Sequence, residues 1–186
     1  MDVLRLILKP IERADLDWIL NNRNDPQKYV NFNQPMPISQ EQQLGWYENE
    51  VLTKKTFAYI VYLNKMKIGY AALQNINWIV KSAEVSHFII SDINPELAAY
   101  AHELILVMGF DNLGLNRIHS VCFEFNPIFE KLKRFGFKLE GTLRQSCFKS
   151  GRLWDSYMIA VLKDEWKSLT KLEGKVGKDK DISPGL

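Results

Sequence analysis

The side chains that could move protons lie on two predicted strands. A strand over residues 82–90 places Glu84 and Ser86 on one face and His87 on the other, because side chains alternate along a β-strand. A carboxylate on such a strand can act as a base when partial burial raises its pKa toward neutrality. The alternative is a solvent-exposed strand glutamate with no catalytic role.

The second of these strands, residues 117–125, carries His119 and Cys122. Histidine titrates near neutral pH, so His87 and His119 are candidate bases, although a lone histidine is more often a packed or surface residue. His119 faces away from Cys122 on its strand, which makes it the weaker candidate of the two. Cys122 is expected in the core, since the sequence places no base beside it to activate a nucleophile.

Length and composition describe a soluble globular domain. The 186 residues are 46% hydrophobic and 25% charged, which excludes a mostly disordered or low-complexity chain. The net charge of +2 provides no field to recruit nucleic acid or a membrane surface. Cys122 and Cys147 have neither zinc-site spacing nor a disulfide framework, so no metal is expected and a cytoplasmic location is the default. The longest charge-free stretch, residues 68–80, is too short to span a bilayer.

Hydrophobic periodicity predicts seven strands and about four helices in one domain. The strands are predicted over residues 3–8, 56–63, 67–73, 82–90, 117–125, 137–148 and 153–162. Helices are predicted after the first strand, ending at Asn24-Asp25-Pro26, and behind the capping-box pair Ser39 and Gln42. A longer helix begins at Asn94-Pro95, and a short one covers residues 128–134. Residues 1–169 form the domain, and residues 170–186 are a polar, frayed tail.

Several stretches resemble, in order and at suitable spacing, the GNAT superfamily of acyl-CoA-dependent N-acetyltransferases. They are Asn-Arg-Asn-Asp-Pro at residues 22–26, Phe-Asp-Asn-Leu-Gly-Leu-Asn-Arg-Ile at residues 110–118, and Phe-Gly-Phe-Lys-Leu-Glu-Gly-Thr-Leu-Arg at residues 135–144. The resembled branch contains ribosomal-protein, polyamine and nucleotide-amino-sugar acetyltransferases. The resemblance implies an α+β fold with a mixed, mostly antiparallel seven-stranded sheet. Its fourth and fifth strands splay apart to admit acetyl-CoA.

The resemblance also implies a set of site residues. Glu84 looks like the glutamate of the fourth strand and is the expected catalytic base. The expected cofactor-binding residues lie at the end of that strand, at the start of the central helix and at the end of the fifth strand: Phe88, Ile89, Ile90, Leu97, Ala98 and Asn126. For Asn126 the alternative is a capping residue before the short helix.

Two features depart from the family pattern. The phosphate-binding turn falls on residues 93–98, where Pro95 has no N–H to offer and Glu96 replaces a glycine. The position at which many members carry a tyrosine acid is occupied by Leu132. These departures keep open a second reading, in which the fold is retained as a ligand- or partner-binding module without catalysis.

The function that the resemblance implies is transfer of an acetyl group from acetyl-CoA to a primary amine. Residues 22–26 and 38–39 look most like members that act on an amino sugar carried on a nucleotide. Peptide N-termini and polyamines remain open as acceptors. Neither nucleic acid nor a membrane is expected as a partner, and a homodimer is possible.

Overall fold

The predicted seven-stranded mixed sheet is confirmed. A computed structural model describes residues 6–29, 31–32, 36–89 and 95–166; Ile90 and the predicted tail over residues 170–186 lie outside these ranges. The sheet has the order β1-β2-β3-β4-β5-β7-β6, and β4 and β5 are its parallel pair. The strands are β1 Leu6–Pro10, β2 Phe57–Leu63, β3 Met66–Asn77, β4 Ser82–Ile89, β5 Arg117–Phe123, β6 Lys138–Lys149 and β7 Arg152–Leu162.

Five α-helices cover the sheet within the described ranges. They are α1 Leu16–Asn24, α2 Pro26–Tyr29, α3 Gln40–Trp46, α4 Pro95–Val107 and α5 Ile128–Leu132. The predicted stop at Asn24-Asp25-Pro26 is correct for α1, but α2 was missed. Pro26 begins a new helical turn, because proline is tolerated at the first helical position, where its missing N–H costs no hydrogen bond. No helix of the described chain is both long and apolar enough to cross a membrane.

The two long hairpins follow from short local signals. Asn64, in the predicted turn between β2 and β3, has a positive φ of 56°. In the turn between β6 and β7, Ser150 and Gly151 have φ angles of 52° and 79°, and a two-residue turn with both φ positive matches the twist of the flanking strands. Both turns lie in the gaps that the predicted strands leave, at residues 64–66 and 149–152.

The sheet buries its two faces unequally. Helices α4 and α5 pack against one face along most of its width, where Val85, Ile118 and Ile159 are buried. On the other face, α1 and α3 cover β2 and β3, and no described strand beyond β3 contributes a buried residue to that cluster. Val121 and Met158, partners on β5 and β7, are 38% and 40% exposed there. We call this uncovered part of β4, β5 and β7 the open face.

The capping box at the start of α3 gives a first prediction. Ser39 Oγ accepts a hydrogen bond from the Gln42 amide at 3.2 Å, and Gln42 Oε1 accepts one from the Ser39 amide at 2.8 Å. Replacing Ser39 by Ala leaves the Gln42 amide without its acceptor, so the free energy of unfolding should fall by about 1 kcal/mol in urea titration. Gln40→Ala, in the same exposed turn, is the control. Equal losses in the two variants would contradict a capping role for Ser39.

Candidate active site

A slot opens between β4 and β5. The two strands pair in parallel at three positions, Ser82 with Arg117, Ala83 with Ile118 and Glu84 with His119. Strand β4 continues to Ile89 and β5 to Phe123, yet no described residues beyond Glu84 and His119 are paired between them. The predicted splay of the fourth and fifth strands therefore begins directly after Glu84.

Glu84 lies half-buried on the open face, where it shares its side of β4 with Ser86 as predicted. The Asn75 side-chain amide donates a hydrogen bond to Glu84 Oε2 at 2.8 Å. Asn75 reaches this position because the pairing of β3 with β4 is interrupted between Gln74 and Asn77, and Asn75 itself has a φ of 52°. The bulge thus holds the carboxylate at the entrance of the slot.

His119 lies beside Glu84. Direct partners in a sheet project their side chains to the same face, so the imidazole and the carboxylate emerge together on the open face. Burial lowers the pKa of His119, and the nearby Arg117 guanidinium lowers it further, against the opposing charges of Glu84 and Glu140. The imidazole is therefore uncharged at neutral pH. The sequence alone could not show this proximity, since the signal is the register between β4 and β5.

An ion pair ties β5 to the edge strand below His119. The Arg117 guanidinium donates to both carboxylate oxygens of Glu140 at 2.5 Å. The hydrogen bond from Arg117 is the main reason that the pKa of Glu140 lies below its ordinary value. Because two hydrogen bonds to the same carboxylate hold the guanidinium, its position next to His119 is fixed.

The start of α4 lies at Pro95, the first helical position that the sequence predicts. Leu97 and Ala98 fall in its first turn, while residues 90–94 lie outside the described ranges. First-turn amides have no acceptor within a helix, and the helix dipole favours an anion at this end. Pro95 supplies no amide, so the donors of this turn begin at Glu96.

Asn126 follows β5 and precedes α5. Its Oδ1 accepts a hydrogen bond from the Ile128 amide at 3.0 Å, so the side chain stabilises the start of α5. The N-cap position of α5 is Pro127, so Asn126 makes this local contact from the residue before the cap. A contact between the Asn126 amide group and the cofactor stays a prediction.

A second concavity lies away from these residues. A surface cleft of about 300 Å³ separates α1 from α3 and is lined by Leu16, Asp17, Gln40 and Gln43, among others. It contains no residue of β4 or β5. We therefore place the candidate site at the splay and not in this cleft.

Known proteins match both the sequence and this geometry. The profile of the acetyltransferase (GNAT) domain family matches residues 5–138. This chain belongs to the GNAT acetyltransferase family. It is an N-acetyltransferase, and its acetyl donor is acetyl-CoA.

Individual relatives agree with the family. The uncharacterized N-acetyltransferase p20 of Bacillus licheniformis is 29% identical over 87% of this chain and 95% of its own length. The uncharacterized N-acetyltransferase YnaD of Bacillus subtilis (strain 168) is 34% identical, over 39% of this chain and 44% of its own length. The crystal structure of spermidine N-acetyltransferase from Vibrio cholerae in complex with CoA and spermine superposes with a TM-score of 0.81. At 25% identity, that match covers 87% of this chain and 98% of the neighbour.

The residues present fit the acetyl donor of a GNAT enzyme. The open slot after Glu84 can admit a pantetheine arm, and the first-turn amides of α4 can hold a pyrophosphate. Phe88 and Ile89 belong to the part of β4 that has parted from β5, so their backbone borders the slot. When bound, acetyl-CoA supplies the thioester whose acetyl group is transferred.

Two other side chains near this GNAT site can be excluded as proton-transfer groups. Cys122 is 6% exposed, and burial raises the pKa of its thiol to about 11, so it stays protonated at neutral pH. Leu132, at the position of the family's tyrosine acid, is 2% exposed and packs in the core. Neither residue can therefore take part in proton transfer at neutral pH.

Three aromatic residues, Trp46, Tyr47 and Trp78, differ in their packing and in their exposure to solvent. Tyr47 is buried in the core beneath α1 and α3, and Trp46 packs edge-on against Tyr70 with ring centroids 6.2 Å apart. Trp78 lies in the turn between β3 and β4 and is 54% exposed. Tyr47 is therefore a core residue, whereas Trp78 is exposed to solvent.

Proposed function

We propose that this enzyme acetylates the primary amine of a small molecule at the splay between β4 and β5, with Glu84 as a catalytic residue. The observation that carries the proposal is the end of strand pairing at Glu84 and His119 on the open face. An amine approaching from this face meets the Glu84 carboxylate before it reaches the slot. A carboxylate attracts the ammonium form in which most amines arrive at neutral pH.

The proposed reaction is a direct transfer. The amine nitrogen forms a bond to the acetyl carbon, the bond from that carbon to the CoA sulfur breaks, and the amine loses a proton to a base of the enzyme. Phe88, Ile89 and Ile90 are the proposed backbone contacts of the thioester end, and Leu97, Ala98 and Asn126 those of the remainder of the cofactor. A direct attack agrees with the buried, protonated state of Cys122, which cannot serve as an acyl carrier.

For the acceptor, we propose an amino sugar carried on a nucleotide. Two cations at the tip of the β6–β7 hairpin are the proposed contacts of its phosphate groups. Lys149 Nζ lies 4.1 Å from the centre of the Tyr29 ring of α2, and the Arg152 guanidinium lies 3.1 Å from the centre of the Trp154 ring. Cations placed beside aromatic rings are suited to phosphate recognition, because contact with the ring limits the positions that the charge can take.

A polyamine is the second candidate acceptor. It is supported by the structural neighbour from Vibrio cholerae, which is a spermidine N-acetyltransferase in complex with CoA and spermine. A polycation would be repelled by Lys149 and Arg152, whereas the phosphates of a nucleotide sugar would be attracted to them. The two candidate acceptors therefore differ in how the positive charge at the hairpin tip affects their binding.

A competition between acceptors tests the proposal. Release of the CoA thiol is measured with a uridine-diphosphate amino sugar, with spermidine and with a tripeptide bearing a free N-terminus. The nucleotide sugar should show the highest kcat/KM, and Arg152→Ala should raise its KM about tenfold by removing one phosphate contact. Arg144→Ala, on the exposed strand β6, is the control. A higher kcat/KM for spermidine, unaffected by Arg152→Ala, would favour the polyamine.

A further inference from the structure

The strand register brings a second titratable group to the place where Glu84 acts. Glu84 and His119 are the last paired residues of β4 and β5. Their side chains lie on the same face, on adjacent strands whose backbones are about 4.8 Å apart. Any amine that enters the slot from the open face therefore passes both groups.

The His119 ring is oriented with one nitrogen hidden. Nδ1 is shielded from solvent and makes no hydrogen bond, while the residue as a whole is half-buried. Of the two ring nitrogens, Nδ1 is therefore excluded, and Nε2 is the one left to meet a substrate. A neutral imidazole can accept a proton there.

The charges around His119 favour this neutral form. Burial is the main cause of its lowered pKa, and Arg117 on the same strand adds to the effect. Glu84 on β4 and Glu140 on β6 oppose it, as does the Ala83 carbonyl. Lys138 on β6 lies across Ala160 of β7 from His119. Its Nζ donates a hydrogen bond to Glu165 Oε1 at 2.5 Å.

Glu84 is arranged to hold a cation. The Asn75 amide fixes one carboxylate oxygen, Oε2, at 2.8 Å. A carboxylate has a second oxygen, and Oε1 can bind an ammonium group. The two side chains therefore offer different functions, an anion to bind the ammonium and a neutral base to deprotonate it.

We infer that His119 is a second catalytic residue of the acetyl transfer, taking the proton from the ammonium group that Glu84 holds. This inference rests on the proposed function, because it assigns the proton acceptor at the same splay. The ammonium N–H bond breaks as the proton passes to Nε2 of His119. The freed electron pair forms the N–C bond while the C–S bond of the thioester breaks. The imidazolium then returns its proton to the departing sulfur, which leaves as a thiol, and the second proton that the former ammonium nitrogen must lose to become an amide passes to solvent water.

The first test needs no acceptor. Nuclear magnetic resonance titration of the imidazole resonances in the full chain should give His119 a pKa below the ordinary value of about 6.5. Glu84→Gln should lower it further, because the variant removes a negative charge beside the ring. Glu124→Gln, an exposed carboxylate at the end of β5, is the matched control and should leave the His119 pKa unchanged. A pKa at or above about 6.5, or one indifferent to Glu84→Gln, would overturn the inference.

The second test is kinetic and uses acetyl-CoA with whichever of the three acceptors above is turned over. His119→Gln should lower kcat by about 10²–10³-fold and abolish the acid limb of the pH profile, with unchanged acetyl-CoA affinity by calorimetry. Added imidazole should partly restore the His119→Gly variant, which a merely structural loss would not allow. Lys138→Gln, in the same row of the sheet, should behave as the parent enzyme.

The outcomes separate this inference from the acceptor assignment. Full activity of His119→Gln with an intact acid limb would leave Glu84 as the base and refute the role of His119. Turnover of spermidine alone would refute the nucleotide-sugar acceptor and leave the His119 tests in force.

Discussion

Glu84→Gln is expected to lower kcat/KM for the acceptor amine by about 10²–10³-fold while the affinity for acetyl-CoA stays the same. Glutamine keeps the volume of the side chain and can still contact Asn75, so the loss is one of charge. The amine then meets no anion at the entrance of the slot. Initial rates at saturating acetyl-CoA, combined with calorimetry of acetyl-CoA binding, measure the two quantities separately.

The pH profile of Glu84→Gln distinguishes the two roles at the splay. If His119 accepts the proton, the residual activity should keep its acid limb, displaced to lower pH, because Glu84 raises the pKa of His119 in the parent enzyme. Below the His119 pKa the imidazole is protonated and cannot accept a further proton, so activity falls as the pH decreases. Loss of the limb in Glu84→Gln would instead identify Glu84 as the base, and an unchanged rate would remove it from catalysis. Glu124→Gln serves again as the exposed control.

The elements with local signals could be predicted from the sequence. The capping box of Ser39 and Gln42, the turn at Ser150-Gly151 and the start of α4 at Pro95 each depend on residues within one or two turns of chain. Such features are set by side-chain hydrogen bonds or by φ preferences that are present before the tertiary structure forms. The family resemblance then supplied the mixed, mostly antiparallel sheet and the splay of its fourth and fifth strands, which local signals do not determine.

The partnership of Glu84 with His119 could not be predicted in this way. Alternation along each strand assigns a residue to one of two faces, but not to the same face as a residue on another strand. That relation is fixed by the register of a parallel pair whose members are 35 residues apart, joined by α4. A slip of one residue would send His119 into the core and Ile118 to the open face.

The bulge of β3 is a second feature that the sequence concealed. The predicted strand ends at residue 73, where the β-rich run of the sequence ends. The structure continues β3 to Asn77 and accommodates the irregularity as a bulge, with Asn75 at a positive φ. Asparagine tolerates this conformation better than most residues, and the bulge directs its amide to Glu84. A local departure from regular pairing thus orients a candidate catalytic residue.

Phe110→Ala is expected to reduce the free energy of unfolding by about 3–5 kcal/mol, the largest stability effect that we predict for a single residue. Phe110 is 0% exposed in the turn that follows α4, and its ring centroid lies 5.3 Å from that of Trp166. Removing the ring leaves a cavity where α4 packs on the sheet, since the close-packed neighbours cannot fully collapse into it. Urea denaturation measures the loss as a lower midpoint with an unchanged slope.

Phe148→Ala is the matched control, because Phe148 is 68% exposed on β6 and its removal should change stability by no more than about 0.5 kcal/mol. Comparable losses in the two variants would contradict the assignment of Phe110 to the core. Well below its unfolding temperature, Phe110→Ala should retain a near-normal kcat, because Glu84 and His119 are positioned by strand pairing on the opposite face of the sheet. A large fall in kcat of the folded variant would show instead that the packing of α4 sets the separation of β4 and β5.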